Sequence, residues 1–259
     1  LATSYGWEWF IENFEAISQI NLTSYKRPQM ERRINSFMRS VNSSNYKDFL
    51  DILSKDKILY KKFIEHLTIN VSEFFRNPAH WEVLEKKIIP MLLENKKKLK
   101  VWSAGCSTGE EPYSLAMLFK EKFPDTVDEI YATDLDIEVL DKAQIGIYSE
   151  KAIQSLEYNY QKKYFIQNKN FFKIKEDIKS MVKFQRQDLL KEAFTKNNDL
   201  ILCRNVVIYF TEETKQKLYK KFTNSLNANG VLFIGSTEQI FQAKDLGLKP
   251  IATFFYQKA

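Results

Sequence analysis

A chain of 259 residues with 44% apolar and 28% charged residues is long enough for one large domain, or a small domain joined to a mid-sized one, and excludes intrinsic disorder. No run approaches the roughly 20 uninterrupted apolar residues of a membrane span, and the start at Leu1 lacks the basic and apolar regions of a signal peptide. A cytoplasmic protein without direct membrane insertion is expected. Two cysteines, Cys106 and Cys203, and two isolated histidines, His66 and His80, assemble neither a disulfide framework nor a zinc site, so no metal is expected. The formal charge of +6 is too modest and too spread out for the concentrated footprint of a nucleic-acid binder.

Residues 7 to 69 contain no glycine, and their apolar residues recur at helical spacing. Met30, Ile34, Phe37, Met38 and Val41 form one such row. Phe49, Ile52 and Leu53, then Leu59, Phe63 and Leu67, form the next. An all-helical N-terminal domain over 1–72 is expected. From Lys26 to Ser40, Lys26, Arg27, Arg32, Arg33 and Arg39 stand against the single acid Glu31, so one helix face is basic. On the residues alone that face is as readily a solvated surface as a docking site.

After Leu99 strands alternate with helices. Leu99–Ser103, Ile130–Thr133, Val182–Gln185, Leu200–Cys203 and Val231–Gly235 read as buried strands, with helices at Glu110–Lys122, about Ile137–Ala143 and Glu212–Leu226. This is the α/β grammar of a doubly wound parallel sheet, placed at 73–259. A lysine-rich helical stretch and the alternation at Asn170–Lys175 break the rhythm, so a small antiparallel β-subdomain is expected as an insertion at about 150–182. Leu248–Gln257 is expected to close the sheet as an antiparallel edge strand or hairpin.

In such a sheet ligands bind beyond the carboxyl ends of the strands. Ser103-Ala104-Gly105-Cys106-Ser107-Thr108-Gly109-Glu110-Glu111 is a strand, a glycine turn and a helix start. Gly105 and Gly109 permit close backbone approach. The spacing is neither a P-loop nor G-x-G-x-x-G, which favours a nucleoside without phosphates. The same residues also fit a capping box, Ser107 with Glu110 or Thr108 with Glu111. Asp134 can accept the hydroxyls of a ribose, whereas Asp136 reads as the N-cap of the next helix. Asp188 is either an adenine contact or a turn aspartate. Arg204 and Asn205 end a buried strand at the pocket mouth.

These segments in this order resemble an S-adenosylmethionine-dependent methyltransferase with a Rossmann-like sheet. Five motifs narrow the resemblance. They are N-V-S-E-F-F-R-N at Asn70–Asn77, S-A-G-C-S-T-G-E-E-P-Y-S at Ser103–Ser114, A-T-D-L-D at Ala132–Asp136, C-R-N-V-V-I-Y-F at Cys203–Phe210 and G-S-T-E-Q at Gly235–Gln239. Together they are similar to those of the bacterial chemoreceptor glutamate methyltransferases, the CheR family. The Asp or Asn followed by Pro-Pro-Tyr of amino-methylating nucleic-acid enzymes is absent from the sequence.

The resemblance implies S-adenosyl-L-methionine as cofactor and S-adenosyl-L-homocysteine as product. It implies a methyl transfer to glutamates on the cytoplasmic helices of methyl-accepting chemoreceptors, for adaptation in chemotaxis. On the matching positions, Asn70, Ser72, Arg76, Gly105, Glu111, Asp134, Asp188, Leu189, Asn205 and Val206 are the implied cofactor contacts. Arg76 lies beside the reacting centre, and Tyr209 faces the substrate. Lys26, Arg27, Arg32, Arg33 and Arg39 are the implied docking residues for an acidic receptor helix. Relatives that grip a receptor C-terminal pentapeptide carry a Gly-x-Gly loop in the subdomain. Phe165–Phe171 has no glycine, which is similar to the peptide-independent branch, without tethering.

Overall fold

The computed structural model describes residues 5–68 and 70–259. They divide into two compact units, Leu1–Ile69 with Tyr209–Lys215, and Asn70–Ile208 with Gln216–Ala259.

The first unit is built on α1 (Trp7–Ser18), α2 (Arg27–Ser40), α3 (Tyr46–Lys55) and α4 (Lys57–Leu67). Polar caps separate the helices where glycine is lacking. Asn45 accepts the Asp48 N–H to start α3, and Asp56 accepts those of Ile58 and Leu59 to start α4. The periodic residues meet in one core, in which Phe10, Phe14, Ile34, Phe49 and Phe63 are fully buried and the Phe49 and Phe63 rings pack edge to face at 4.9 Å. Two contacts latch α2 to the end of α4. The Arg33 guanidinium donates to the His66 carbonyl, and the His66 ring Nε2 lies 3.1 Å from the Arg33 carbonyl.

The second unit opens with the linker 70–77 and a helical stretch, α5 (Pro78–Val83) and α6 (Ile89–Leu93), joined by a π-turn at Leu84–Ile88. Pro90 has no N–H for an ordinary helical bond and its ring crowds the preceding turn, which accounts for the widened loop. Then follow β1 (Leu99–Ala104), α7 (Glu110–Lys122), β2 (Val127–Asp134), α8 (Ile137–Ile145), β3 (Ile147–Ser149), α9 (Glu150–Ile153) and α10 (Tyr158–Tyr164). The chain continues through β4 (Phe165–Asn168), β5 (Phe171–Ile174), α11 (Glu176–Lys179), β6 (Val182–Arg186), β7 (Asn198–Cys203), α12 (Glu212–Ser225), β8 (Leu226–Ile234), β9 (Leu248–Ala252) and β10 (Phe255–Lys258).

The main sheet runs β6-β2-β1-β7-β8-β10-β9. Its first five strands are parallel, and β10 and β9 pair antiparallel at one side. This is the doubly wound sheet with the closing hairpin that the sequence predicts. The strand order reverses between β1 and β7, which puts the carboxyl ends of β2, β1, β7 and β8 on one rim. The sheet buries Trp102, Phe119 and Phe222 almost completely, and the Trp102 indole N–H is satisfied by the Thr133 hydroxyl at 3.0 Å.

The inserted antiparallel sheet has the order β3-β5-β4. Its first strand lies just before the expected segment of about 150–182, because three residues are too few to show a strand alternation. The main-sheet strand expected from Val231 begins at Leu226 instead. Its first part, Asn227–Asn229, is two asparagines around an alanine and largely exposed, so it lacks an apolar signal, and it joins β7 through an irregular register.

Candidate functional site

The rim is organised by the turn after β1. Gly105 has φ +80°, and a Cβ there would stand 2.4 Å from Val206 Cγ2, so only glycine fits between the ends of β1 and β7. The N–H groups of Gly105 and Cys106 both donate to the Thr133 carbonyl, at 2.8 and 2.9 Å, which ties the turn to the end of β2. Ser107 turns left-handed, φ +50°, and aims its N–H at Asp134 Oδ2, 2.8 Å away. Asp134 Oδ1 accepts the Asp136 N–H at 3.1 Å. The Leu135 N–H faces the same carboxylate, so three backbone donors meet its two oxygens and a lone pair remains for a hydroxyl. Burial pushes the Asp134 pKa up, opposed by the N–H groups of Asp136 and Ser107. Asp136 is the N-cap of α8 through the Glu138 N–H, and its Oδ2 accepts Asn70 Nδ2 at 3.0 Å.

The capping boxes that the spacing of this turn permits are not formed. Gly109, φ +94°, occupies the N-cap position of α7, and the two following acids turn inward. Thr108 Oγ1 donates to the Glu110 carboxylate at 2.7 Å. Burial raises the Glu110 pKa, and hydrogen bonds from the Thr108 and Ser72 hydroxyls oppose the rise. Glu111 instead accepts from Ser103 Oγ at 2.8 Å and from Arg204 Nη1 at 3.2 Å.

Arg204 is the residue on which these contacts converge. Its side chain is 2% exposed. One Nη2 donates to the Arg76 carbonyl at 2.7 Å and to Asn77 Oδ1 at 3.2 Å, and the guanidinium carbon lies 4.7 Å from the centre of the Phe233 ring. The linker is pinned further by the Trp81 indole N–H on the Arg76 carbonyl and by the Phe75 N–H on Ser114 Oγ, each at 3.0 Å. Phe75 and Asn77 both take left-handed backbone, φ +48° and +61°, the kind of strain that persists where the surroundings hold it. The Arg76 guanidinium, partly exposed, donates to the Val71 carbonyl at 3.1 Å.

At the end of β7, Asn205 is left-handed, φ +60°. Its Oδ1 and the Ser107 Oγ are buried without a hydrogen-bond partner among the described residues. Such orphaned groups, beside a carboxylate with a lone pair to spare, fit a ligand that brings hydroxyl and amino donors. Asp188 behaves as a turn aspartate: its Oδ1 accepts the Leu190 and Lys191 N–H groups at 2.8 and 3.3 Å. The Leu189 carbonyl accepts Lys221 Nζ at 2.6 Å.

The structure therefore gathers Asn70, Asp134, Asp136 and Ser107 into one cluster, and Ser72, Glu110, Glu111, Arg204 and the Arg76 backbone into another. Asn70 and Ser72 side with the second unit, so the boundary expected at 72 lies earlier in the chain, before these two hydrogen-bonded side chains. Tyr209 belongs to the first unit, where its carbonyl accepts the Lys26 N–H at 2.9 Å. Of the five basic docking candidates, two are engaged internally. Arg33 holds α4, and Arg27 pairs with Glu8 at 2.8 Å and Glu31 at 3.3 Å. Arg32 and Arg39, two turns apart on α2, are exposed.

Comparison with known proteins gives a family profile described as "CheR methyltransferase, SAM binding domain" over residues 70–252, and one described as "CheR methyltransferase, all-alpha domain" over residues 6–68. A chemotaxis protein methyltransferase of Listeria innocua is 45% identical over 240 residues, covering 92% of this chain and 92% of its own. One from Borreliella burgdorferi is 37% identical over 249 residues, covering 91% and 88%. One from Escherichia coli is 30% identical over 247 residues, covering 87% and 84%.

Two outcomes are expected from this geometry. Arg204→Met leaves the partly buried Glu111 and the linker carbonyl of Arg76 without their cation, and should lower the unfolding free energy in urea by about 3 kcal/mol. An acid whose folded pKa is raised stabilises the fold least once it ionises, so ionised Asp134 works against the preference of the fold. As the pH falls through that raised pKa, Asp134 takes a proton and loses acceptor strength. S-adenosylhomocysteine affinity, followed by calorimetry, should therefore fall at a pH above the ordinary carboxylate range, and Asp134→Asn should flatten that dependence.

Proposed function

Since the chain belongs to the CheR methyltransferase family, we propose that it moves the methyl group of S-adenosyl-L-methionine onto glutamate side chains in the cytoplasmic helices of chemoreceptors, leaving S-adenosyl-L-homocysteine. The observation that carries this reading is the presence, on one rim, of Asp134, set by backbone donors with an acceptor lone pair to spare, and of buried Ser107 and Asn205 oxygens without partners among the described residues. In this reading Asp134 takes the ribose hydroxyls. Glu111, fixed by Ser103 and Arg204, takes the amino group of the methionine part. Asp188 and Leu189 flank the adenine, and Gly105 lets the backbone approach. Asn70 and Ser72 hold the linker over the rim, and Asn205 and Val206 stand near the methyl group.

A glutamate side chain in water loses its proton near pH 4, with a pKa of about 4.3, so at neutral pH the acceptor is already a nucleophilic carboxylate and needs no general base. The cofactor supplies an activated sulfonium methyl. This chain's residues align the carboxylate oxygen with that carbon and exclude water, a task of positioning rather than proton transfer. A guanidinium carries five N–H donors. Arg76, with one of them on Val71, orients the incoming carboxylate, and Tyr209 presents its hydroxyl on the substrate side.

The helical domain docks the acidic receptor helix, and the sheet domain that begins at Asn70 carries out methyl transfer. Arg32 and Arg39 supply the charge for docking, with Lys26 beside them. Electrostatics of this kind raises the encounter rate and sets register more than it adds affinity. Recognition without a tethering pentapeptide is supported by the hairpin between β4 and β5, where Asn168 pairs with Phe171 and only Lys169 and Asn170 form the loop. The reading places the protein in the cytoplasm, where those receptor helices lie. Among the described residues no helix is long and apolar enough to cross a membrane.

The deciding experiment is transfer of labelled methyl to a receptor cytoplasmic fragment, followed by mild base. A carboxyl methyl ester releases labelled methanol; label that stays on the fragment overturns the reading. Charge reversal at Arg32 and Arg39 together should slow receptor methylation about fivefold at low ionic strength and less at high salt, with the melting temperature unchanged. Reversal of Arg33 should instead lower the melting temperature, through the lost latch on α4.

A further inference from the structure

The turn that follows β8, Gly235–Gln239, contains a buried acid to which neither the fold nor the cofactor reading assigns a task. Glu238 is 6% exposed, and its Oε2 accepts the Gly235 N–H at 2.6 Å. The N–H groups of Asn205, Val206 and Val207 lie on the same side and oppose the rise in pKa that burial imposes, while the other oxygen, Oε1, is buried without a hydrogen-bond partner among the described residues. The carboxylate thus sits among backbone amides at the ends of two neighbouring parallel strands, β7 and β8, with one direct bond to them. The two turns touch backbone to backbone. A Cβ on Gly235 would stand 2.6 Å from Asn205 N, 2.9 Å from Glu238 Oε2 and 3.1 Å from Asn205 Nδ2.

An ionised carboxylate is an expensive way to close a surface turn, because desolvation works against it. What it does here is specific. Asn205 is held left-handed, with φ +60°, in the turn whose amides face the Glu238 carboxylate, and its own Oδ1 is buried without a partner among the described residues. An asparagine in that conformation with an unsatisfied amide oxygen is a group kept ready for a ligand, and the anion beneath it keeps the backbone from relaxing.

We infer that Glu238 is a positioning residue for methyl transfer: it fixes the Asn205–Val206 backbone and so sets the Asn205 amide against the methionine end of the cofactor. This rests on the proposed placement of Asn205 near the methyl group. Glu238 does not touch the cofactor, and the adenosine end, held by Asp134 and the 188–189 turn, is outside its reach.

The test is Glu238→Gln, which keeps the shape and one acceptor for the Gly235 N–H but removes the negative charge that the neighbouring amides face. Binding of S-adenosylhomocysteine and of adenosine is measured by calorimetry, and turnover by labelled-methyl transfer. The expected result is a Kd for S-adenosylhomocysteine raised about tenfold, with adenosine binding and melting temperature unchanged, a lowered kcat, and no further loss when Glu238→Gln is added to Asn205→Ala. Unchanged S-adenosylhomocysteine affinity, equal weakening of both ligands, or additive effects with Asn205→Ala would each overturn the inference. If Glu238→Gln does not fold, Glu238→Asp, which keeps the charge and shortens the reach, is read in the same way. Failure of both to fold makes the residue structural and also overturns it. Wild-type protein that binds no S-adenosylhomocysteine removes the cofactor reading instead.

Discussion

A guanidinium taken out of water needs acceptors to replace its hydration, and the two terminal nitrogens of Arg204 are met from different elements, while its Nε is buried without a partner among the described residues. Glu111 comes from the start of α7, the Arg76 carbonyl and Asn77 from the linker, and the Phe233 ring from β8. No one of these contacts outweighs the desolvation of a charge; the set does, and only when all the elements are in place. The end of β7, the helix that begins after β1 and the linker over the rim are consequently fixed together. The left-handed backbone at Phe75 and Asn77 persists because Arg204, Trp81 and Ser114 hold the linker down at both residues and between them.

Around that anchor, acids are buried where the fold alone gains nothing from them. Asp134, Glu110 and Glu238 all have pKa values raised, and in each case burial is the largest cause. An acid in that state stabilises the folded chain fully only at low pH, and the contribution is lost as the pH rises through the raised value. A fold selected for stability alone would place amides or apolar groups there. Three such acids on one rim mark it as the place where stability is exchanged for binding geometry. They differ in what they hold. Asp134 has a lone pair to spare, Glu110 is enclosed by hydroxyls of the turn and the linker, and Glu238 sits against the backbone at the ends of β7 and β8.

Much of this architecture was legible in the residues. The strand at Leu200–Cys203 is a short apolar run that stops abruptly in Arg-Asn, and a doubly wound sheet with its ligand rim follows from a few such runs with helices between them. The N-terminal helices were legible because phenylalanines and methionines repeat at helical spacing without glycine. Other features left no such trace. Ser107-Thr108-Gly109-Glu110-Glu111 carries a sound capping signal, yet the left-handed turns at Ser107 and Gly109 redirect the acids inward, which no spacing rule foresees. Arg33 and Arg27 read as surface charge because their partners, the His66 carbonyl and Glu8, lie far off in sequence. Arg204 and Glu238 lie inside recognisable motifs, but their roles arise from contacts 93 residues away to Glu111 and across the β7–β8 pair to Asn205. Local sequence records helix and strand; the closing of a polar network is a property of the assembled rim.

The proposed chemistry explains why the rim has this composition. Enzymes that must move a proton keep a titrating group poised near neutral pH against the reacting atom. Here the acceptor is ionised before it arrives and the donor carbon is already activated, so a poised base would add nothing. The charged groups of this chain can instead be locked in place, Arg204 by Glu111 and Asp134 by backbone amides, because none of them has to change protonation during turnover. A rigid network is the arrangement best suited to a reaction limited by alignment, since every misplaced ångström between the attacking oxygen and the methyl carbon lowers the rate. The same logic predicts where pH sensitivity belongs in this protein: in the binding of the nucleoside by Asp134 and not in the transfer step itself.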